Sequence, residues 1–167
     1  DEQPYASLFK IYDHEFLSVS ISKGLIDISN LSIAGDGMPV TKSARERKHR
    51  ICECSKNGIT SCHCDRYFSQ PDCDIGYDSS RECFYHGYHL YILVAANSES
   101  DLPLFPLFNP ASKHDSHGFL EAYFRFKAFL PDFHVRKWLL DSAHDAMSYY
   151  LYCRKNDIQP FIDLNEK

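Results

Sequence analysis

Asp36 and Asp141 share a setting: each closes a short proline-free apolar run, LSIAGD for the first and VRKWLLD for the second, and each is followed by small residues. Such a run reads as a strand that ends in a turn. If the two strands are parallel neighbours, about 4.8 Å apart, their carboxylates emerge side by side at one sheet end, where open α/β sheets bind ligands. Two ionised carboxylates that close repel each other unless a cation lies between them. Hard oxygen donors select Mg²⁺ or Mn²⁺. The competing reading of either residue is an ordinary turn former or helix cap. At Asp141 that duty falls to its neighbour, because Ser142 and Asp145 have capping-box spacing, which leaves the Asp141 carboxylate for chemistry.

A second set of reactive groups lies in CECSKNGITSCHC, where Cys52, Cys54, Cys62 and Cys64 form two C-x-C pairs joined by SKNGITS. Four thiolates can enclose a tetrahedral Zn²⁺, with His63 able to replace one of them. Free thiols and disulfides are the other readings. The total of seven cysteines is odd, which excludes a complete disulfide framework and favours a reducing compartment. Cys73, Cys83 and Cys153 read as buried apolar residues. His86, His89, His114, His117 and His144 stand singly near aromatic residues and read as hydrogen-bonded core or rim groups rather than ligands. His144 follows Asp141 by three positions, and either flanks its site or sits exposed in a first helical turn.

Periodicity gives the elements that must position these groups. Residues 8–26 carry Leu8, Ile11, Tyr12, Phe16, Val19 and Ile21 at roughly helical spacing, with Gly24 as a stop. Residues 42–81 are polar, rich in Cys and poor in aliphatic side chains, and form an insertion after the first strand. FYHGYHLYILVAA (84–96) is the longest strand, expected to be well buried, with Tyr88, Leu90, Ile92 and Val94 on one face. LPLFPLF (102–108) and IQPFIDL (158–164) contain Pro103, Pro106 and Pro160, which place them at sheet edges; the runs ending at Asp36 and Asp141 take the centre. HGFLEAYFRFKAFLP (117–131) is a helix with Phe119, Tyr123, Phe126 and Leu130 on one side, Asp115 or Ser116 as cap and Pro131 as stop. A last helix starts just after Asp141, with Ala143, Ala146, Met147, Tyr150 and Leu151 as its apolar stripe. The order predicts a mixed five-stranded α/β sheet covered by helices.

With 167 residues, 44% of them hydrophobic, the chain can bury a real core as one ordinary domain. No apolar stretch approaches the roughly 18 residues of a membrane span. The acidic opening DEQPYASLFK lacks the features of a secretory signal, so a soluble, intracellular protein is expected. A net charge of −5 argues against a surface built throughout for nucleic acid. Against that, Lys42, Arg45, Arg47, Lys48 and Arg50 cluster around the single acid Glu46, as either a solvated face or a phosphate-contacting patch. The chain starts without Met and stops soon after an apolar run, so a piece of a longer protein is expected.

Four stretches, LIDISNLSIAGDGMPV, DCDIGYDSSRECFYHGYHLYILV, NPASKHDS and KWLLDSAHDAMSYYLYCRKNDIQPFIDLN, together resemble the catalytic domain of DDE-type transposases of bacterial insertion sequences, which has a ribonuclease H-like fold. The resemblance covers about residues 20–165. It implies two-metal phosphodiester chemistry on DNA, in which Asp36 binds both Mg²⁺ or Mn²⁺ ions and Asp141 one of them. Endonucleolytic nicking of transposon ends followed by strand transfer into target DNA would need no covalent protein intermediate. It also implies a homo-oligomeric parent protein in the bacterial cytoplasm, associated with the nucleoid. The family's third acid, a Glu on a helix after the fifth strand, has no match before Lys167; Glu166 lies too close behind PFIDL. The expectation is therefore a truncated catalytic core, inactive alone. Two other classes stay open: a catalytically inactive DNA-binding or assembly module with the same fold, and a small zinc-stabilised interaction domain.

Overall fold

Phe9, Leu17 and Ser20 set the inward side of the opening helical stretch, which the computed structural model describes, together with the rest of residues 6–42 and 48–165. α1 (Ala6–Tyr12) passes through a π turn at Asp13–Leu17 into α2 (Ser18–Ser22) without leaving helical dihedrals. The wider turn shifts the phase of the stripe, so Leu8, Ile11 and Val19, expected on the apolar side, are exposed. Gly24, at φ 71°, ends the helix as the sequence predicts.

One mixed sheet organises the chain, in the order β4 (Asp74–Asp78), β5 (Cys83–Ala95), β1 (Leu31–Thr41), β7 (Val135–Leu140), β8 (Gln159–Ile162), with β6 (Leu102–Pro110) also paired to β5. β7 runs parallel to β1, and β8 parallel to β7, whereas β4 is antiparallel to β5. The proline-bearing strands stand where missing N–H donors cost least: β8 ends the order and β6 joins only β5, while the proline-free run before Asp36 and β7 have neighbours on both sides. A mixed α/β sheet with flanking helices is thus present.

The described residues divide into two compact units. The first is built from the chain up to Asp36, Ile92–Pro106 and the chain from Asp115 onward. Its core centres on the fully buried Trp138 of β7. α3 (Asp115–Phe129) sets Phe119 and Tyr123 edge-on to that indole at 4.8 and 4.9 Å, and α4 (Met147–Lys155) stacks Tyr152 on it at 5.3 Å. Each such pair is worth about 0.5–1.5 kcal/mol beyond the area it buries. Phe119, Tyr123 and Phe126 form the buried stripe of α3 as expected.

The last helix departs from its sequence reading. A single 3₁₀ turn, Ser142–His144, follows β7, and extended backbone at Ala146 (φ −140°, ψ 141°) separates it from α4. That break resets the helical phase, so Tyr149 and Cys153 are buried while Met147 and Leu151 are exposed. The capping box does not form, because Asp141 rather than Ser142 caps the turn.

The second unit comprises Gly37–Tyr91 and Leu107–His114. Within it a two-stranded hairpin, β2 (His49–Arg50) against β3 (Arg66–Tyr67), frames the cysteine-rich turn. The covered face of β5 is Tyr85, Gly87, His89, Tyr91, Leu93 and Ala95, whereas Tyr88, Leu90, Ile92 and Val94 are half-buried. Period-two alternation says which residues share a face, not which face is covered. Gly87 has φ 154°, and a Cβ there would drive into the Val40 carbonyl oxygen. Cys73 and Cys153 are buried as expected; Cys83, at the open start of β5, is exposed. Of the basic run, Lys42, Lys48 and Arg50 are exposed, whereas Arg45, Glu46 and Arg47 lie outside the described residues, as does Glu166.

Candidate functional site

Parallel pairing fixes the level at which the acidic side chains leave the sheet. β1 and β7 pair up to Ala34 opposite Leu139; the same register extended by two residues would set Asp36 opposite Asp141. β7 and β8 are in register up to Leu140 opposite Ile162, and the Asp163 N–H donates to the Leu140 carbonyl at 3.1 Å. Asp163 therefore stands at the level of Asp141 on the other side. Asp141 and Asp163 thus stand side by side at the carboxyl end of β7 and β8, and the extended β1 register would add Asp36 to the row. A depression of about 460 Å³ lies there, lined by Leu139, Leu140, Asp141, Phe161, Ile162 and Asp163.

Two details differ from expectation. β1 does not end at Asp36 but runs on to Thr41; what ends is its pairing with β7, which leaves Asp36 exposed within the strand. Asp163 carries the same sequence signal, since IQPFID is also an apolar run closed by Asp, in a strand that Pro160 marks as an edge.

Asp141 takes the cap role that the sequence assigns to Ser142. Its Oδ1 accepts a bond from the Ala143 N–H at 3.2 Å, capping the 3₁₀ turn, and a second from His144 Nδ1 at 2.6 Å. His144 is 1% exposed, wedged between the rings of Phe119 and Tyr149 at 5.7 Å each, so it is neither an exposed first-turn residue nor a rim group. Asp141 itself is 56% exposed, and both bonds fall on a single oxygen. A buried imidazole thus fixes the rotamer of a carboxylate that still faces solvent, the arrangement that orients ligating groups in metal sites.

Asp145 helps to hold the rim instead of closing a capping box. Its carboxylate accepts from the Tyr150 hydroxyl at 2.9 Å and from the Asn165 N–H at 3.0 Å, tying α4 to the segment just past Asp163. The bond to Asp145 pushes the Tyr150 phenol up, so it stays a neutral donor.

The cysteines of the hairpin are the group of three or more His, Cys, Asp or Glu residues whose ligand atoms close on one another among the described residues; the aspartate row, though aligned in register, does not close in this way. The Sγ atoms of Cys52 and Cys62 are 3.5 Å apart, those of Cys54 and Cys64 3.7 Å, and all four lie within 4.8 Å. A tetrahedron of sulfurs at the usual Zn–S distance has edges of about 3.8 Å. The turn between the pairs is built for this: the Ile59 N–H returns to the Cys54 carbonyl at 2.9 Å, Gly58 takes φ 76°, and the Arg50 guanidinium donates to the Ile59 and Thr60 carbonyls. The Cys54 N–H, followed by the neighbouring thiols, pulls the Cys52 thiol down to about 7, while sharing protons with Cys52 and Cys64 pushes Cys54 up to about 12. One thiolate forms near neutrality, and its charge helps to hold back Cys54 and Cys64. A cation at the centre relieves that repulsion, and these four residues can bind a metal such as zinc.

The remaining histidines join neither group: His86 sits edge-on to Phe68 at 5.2 Å, His89 is buried beside Tyr91, and His63, His114 and His117 are exposed. No helix among the described residues is long and apolar enough to cross a membrane. Compared with known proteins, the chain matches no family model, no curated sequence and no solved structure.

Proposed function

We propose that the aspartate rim is the catalytic end of a ribonuclease H-like domain carrying out divalent-metal-dependent phosphodiester chemistry on DNA, of the kind used in transposition. The observation that supports this reading is the double parallel register, Ala34 opposite Leu139 and Leu140 opposite Ile162, beyond which each strand carries an aspartate within two residues, Asp36, Asp141 and Asp163. The strand order supports it as well, since the antiparallel strands stand on one side of β1 and the parallel ones on the other.

Exposed carboxylates are hard, anionic oxygen donors and fit Mg²⁺ or Mn²⁺. Asp36 and Asp141 would hold such ions, with Asp163 as a third acidic group in place of a distant Glu. When bound, the ions supply an activated water or DNA 3′-hydroxyl and neutralise charge on the leaving oxygen. The chain's own contribution is positional: His144 locks Asp141, and Asp145 fixes the segment that carries Asp163. In this reading the parent protein acts as a homo-oligomer on transposon ends and target DNA.

A second reading is favoured by the cysteine centre: a non-catalytic DNA-binding or assembly module with the same fold, in which Zn²⁺ on Cys52, Cys54, Cys62 and Cys64 is structural. Titration with Mn²⁺, followed by the loss of the free-ion electron paramagnetic resonance signal, separates the two. Binding that is lost in both Asp36→Asn and Asp141→Asn, with nicking of DNA by the parent protein lost in the same variants, supports catalysis. Nicking that survives either substitution removes the proposed site.

A further inference from the structure

The second unit has a cleft of about 440 Å³ that no part of the proposed chemistry uses, lined by Lys42, Asp72, Tyr88, Phe108, Asn109 and Pro110. Its walls combine four kinds of recognition group. Tyr88 and Phe108 stand edge-to-face at 6.3 Å, and Phe108 is 58% exposed, a large ring left in water beside the cleft. The Lys42 ammonium lies 5.7 Å over the Tyr88 ring. The Tyr88 hydroxyl donates to Asp72 Oδ1 at 2.8 Å, so the Asp72 carboxylate is held in place while remaining exposed. Asn109 is only 6% exposed, and its Nδ2 has no hydrogen-bond partner among the described residues.

The group that completes this cleft must be flat and aromatic to lie against Phe108. It must also offer N–H donors to Asp72 and carry negative charge near Lys42. Tyr88 stays a neutral donor throughout the physiological range, since burial first and Asp72 second push its phenol up to about 12. It therefore keeps the carboxylate oriented and does not compete with it for charge.

We propose that this cleft binds a guanine nucleotide, with the base against Phe108, its N1–H and N2–H donated to Asp72, and its phosphate near Lys42. Guanine is singled out because its pairing edge presents one acceptor followed by two donors, whereas adenine, cytosine and thymine each offer a carboxylate only one ring-edge N–H group. Stacking on an exposed aromatic ring supplies the sequence-tolerant part of the affinity, and the carboxylate supplies the choice of base. The site is independent of the aspartate rim and stands whether or not that rim is catalytic. Its guanine can come from an unpaired position in DNA or from a free nucleotide.

Fluorescence anisotropy with four end-labelled single-stranded thymidine decamers, each carrying a different central base, tests the assignment, with GMP and AMP as competitors. The guanine decamer should bind at least tenfold more tightly than the others. Phe108→Ala should weaken all binding about tenfold, through loss of the stacked base. Asp72→Asn should abolish the preference for guanine. Both changes fall on exposed side chains, so folding is preserved, and unchanged far-ultraviolet circular dichroism checks this. Displacement of the guanine decamer by GMP at equal concentration assigns the site to the free nucleotide; displacement only at large excess assigns it to DNA. Equal affinity for all four decamers, no binding of any, or wild-type behaviour of Phe108→Ala and Asp72→Asn overturns the proposal. Asp36→Asn, which tests the rim, should leave every one of these values unchanged.

Discussion

His144 and Asp141 form a single unit in which a fully enclosed imidazole donates to a half-exposed carboxylate, 2.6 Å from Nδ1 to Oδ1. The ring gains nothing from solvent, and the carboxylate keeps its second oxygen outside the pair. Replacing His144 by Ala removes a ring packed on Phe119 and Tyr149 and strips Asp141 of its partner. A loss of about 2–4 kcal/mol in urea unfolding is expected. At temperatures where the variant remains folded, Mn²⁺ affinity should fall about tenfold, as for other groups that orient a metal ligand. Unchanged affinity in folded H144A would show that the pair is structural only.

The two acids of the rim should respond alike to loss of charge. Asp36→Asn and Asp141→Asn keep shape, and each should reduce Mn²⁺ binding at least tenfold, on the order of 1.4 kcal/mol or more. Asp141→Asn should cost some stability in addition, because its side chain also caps the 3₁₀ turn, a role worth about 1 kcal/mol. Asp36→Asn should not show that extra loss, and parallel melting curves decide the point.

Gly87 is held by backbone rather than by a side chain. Its φ of 154° is open to glycine alone, and an added Cβ would collide with the Val40 carbonyl and lie 3.1 Å from the Lys42 nitrogen. The dihedral by itself costs about 1–3 kcal/mol, and a carbonyl in a paired strand cannot step aside. Gly87→Ala should therefore unfold the region at a markedly lower temperature, whereas Gly58→Ala, at φ 76° with open space around it, should cost about 1 kcal/mol.

Metal at the cysteine centre should decide whether the hairpin is ordered. Chelation of Zn²⁺ is expected to release protection of the amide hydrogens over residues 49–67, and Cys62→Ser should do the same without a chelator. Amide exchange over Trp138 and its neighbours in the first unit reads the specificity of the effect: it should not change.

The cysteines also carry a pH signature. With its thiol lowered to about 7, Cys52 of the metal-free protein is largely thiolate at pH 8 and largely thiol at pH 6. Its alkylation by iodoacetamide should therefore rise through that interval and level off above it. Cys54, raised to about 12, should stay unreactive over the same range. Zinc displaces protons from the thiols, so metal affinity should climb with pH and bound zinc should protect Cys52. Mass spectrometry of the modified peptides reads each outcome.

Much of the sheet was legible in the chain because proline and period-two patterning act locally. Pro103, Pro106 and Pro160 named the strands that lack a central place, and the two C-x-C pairs offered four thiols that the fold gathers within 4.8 Å. Phe119, Tyr123 and Phe126 announced the buried side of α3 through helical spacing alone. Local rules did not say which face of β5 would be covered, because both faces carry large apolar side chains and only packing chooses between them. Nor did they foresee that Ala146 would interrupt the last helix, that Asp141 would take the cap from Ser142, or that His144 would turn inward. Those outcomes depend on the aromatic cluster around Trp138, assembled from segments far apart in sequence. The sequence by itself determined which residues are able to do chemistry and which strands flank them. Only the tertiary structure decided their level, since the offset between parallel strands is set by packing and ladder hydrogen bonds, and that offset set Asp163 beside Asp141.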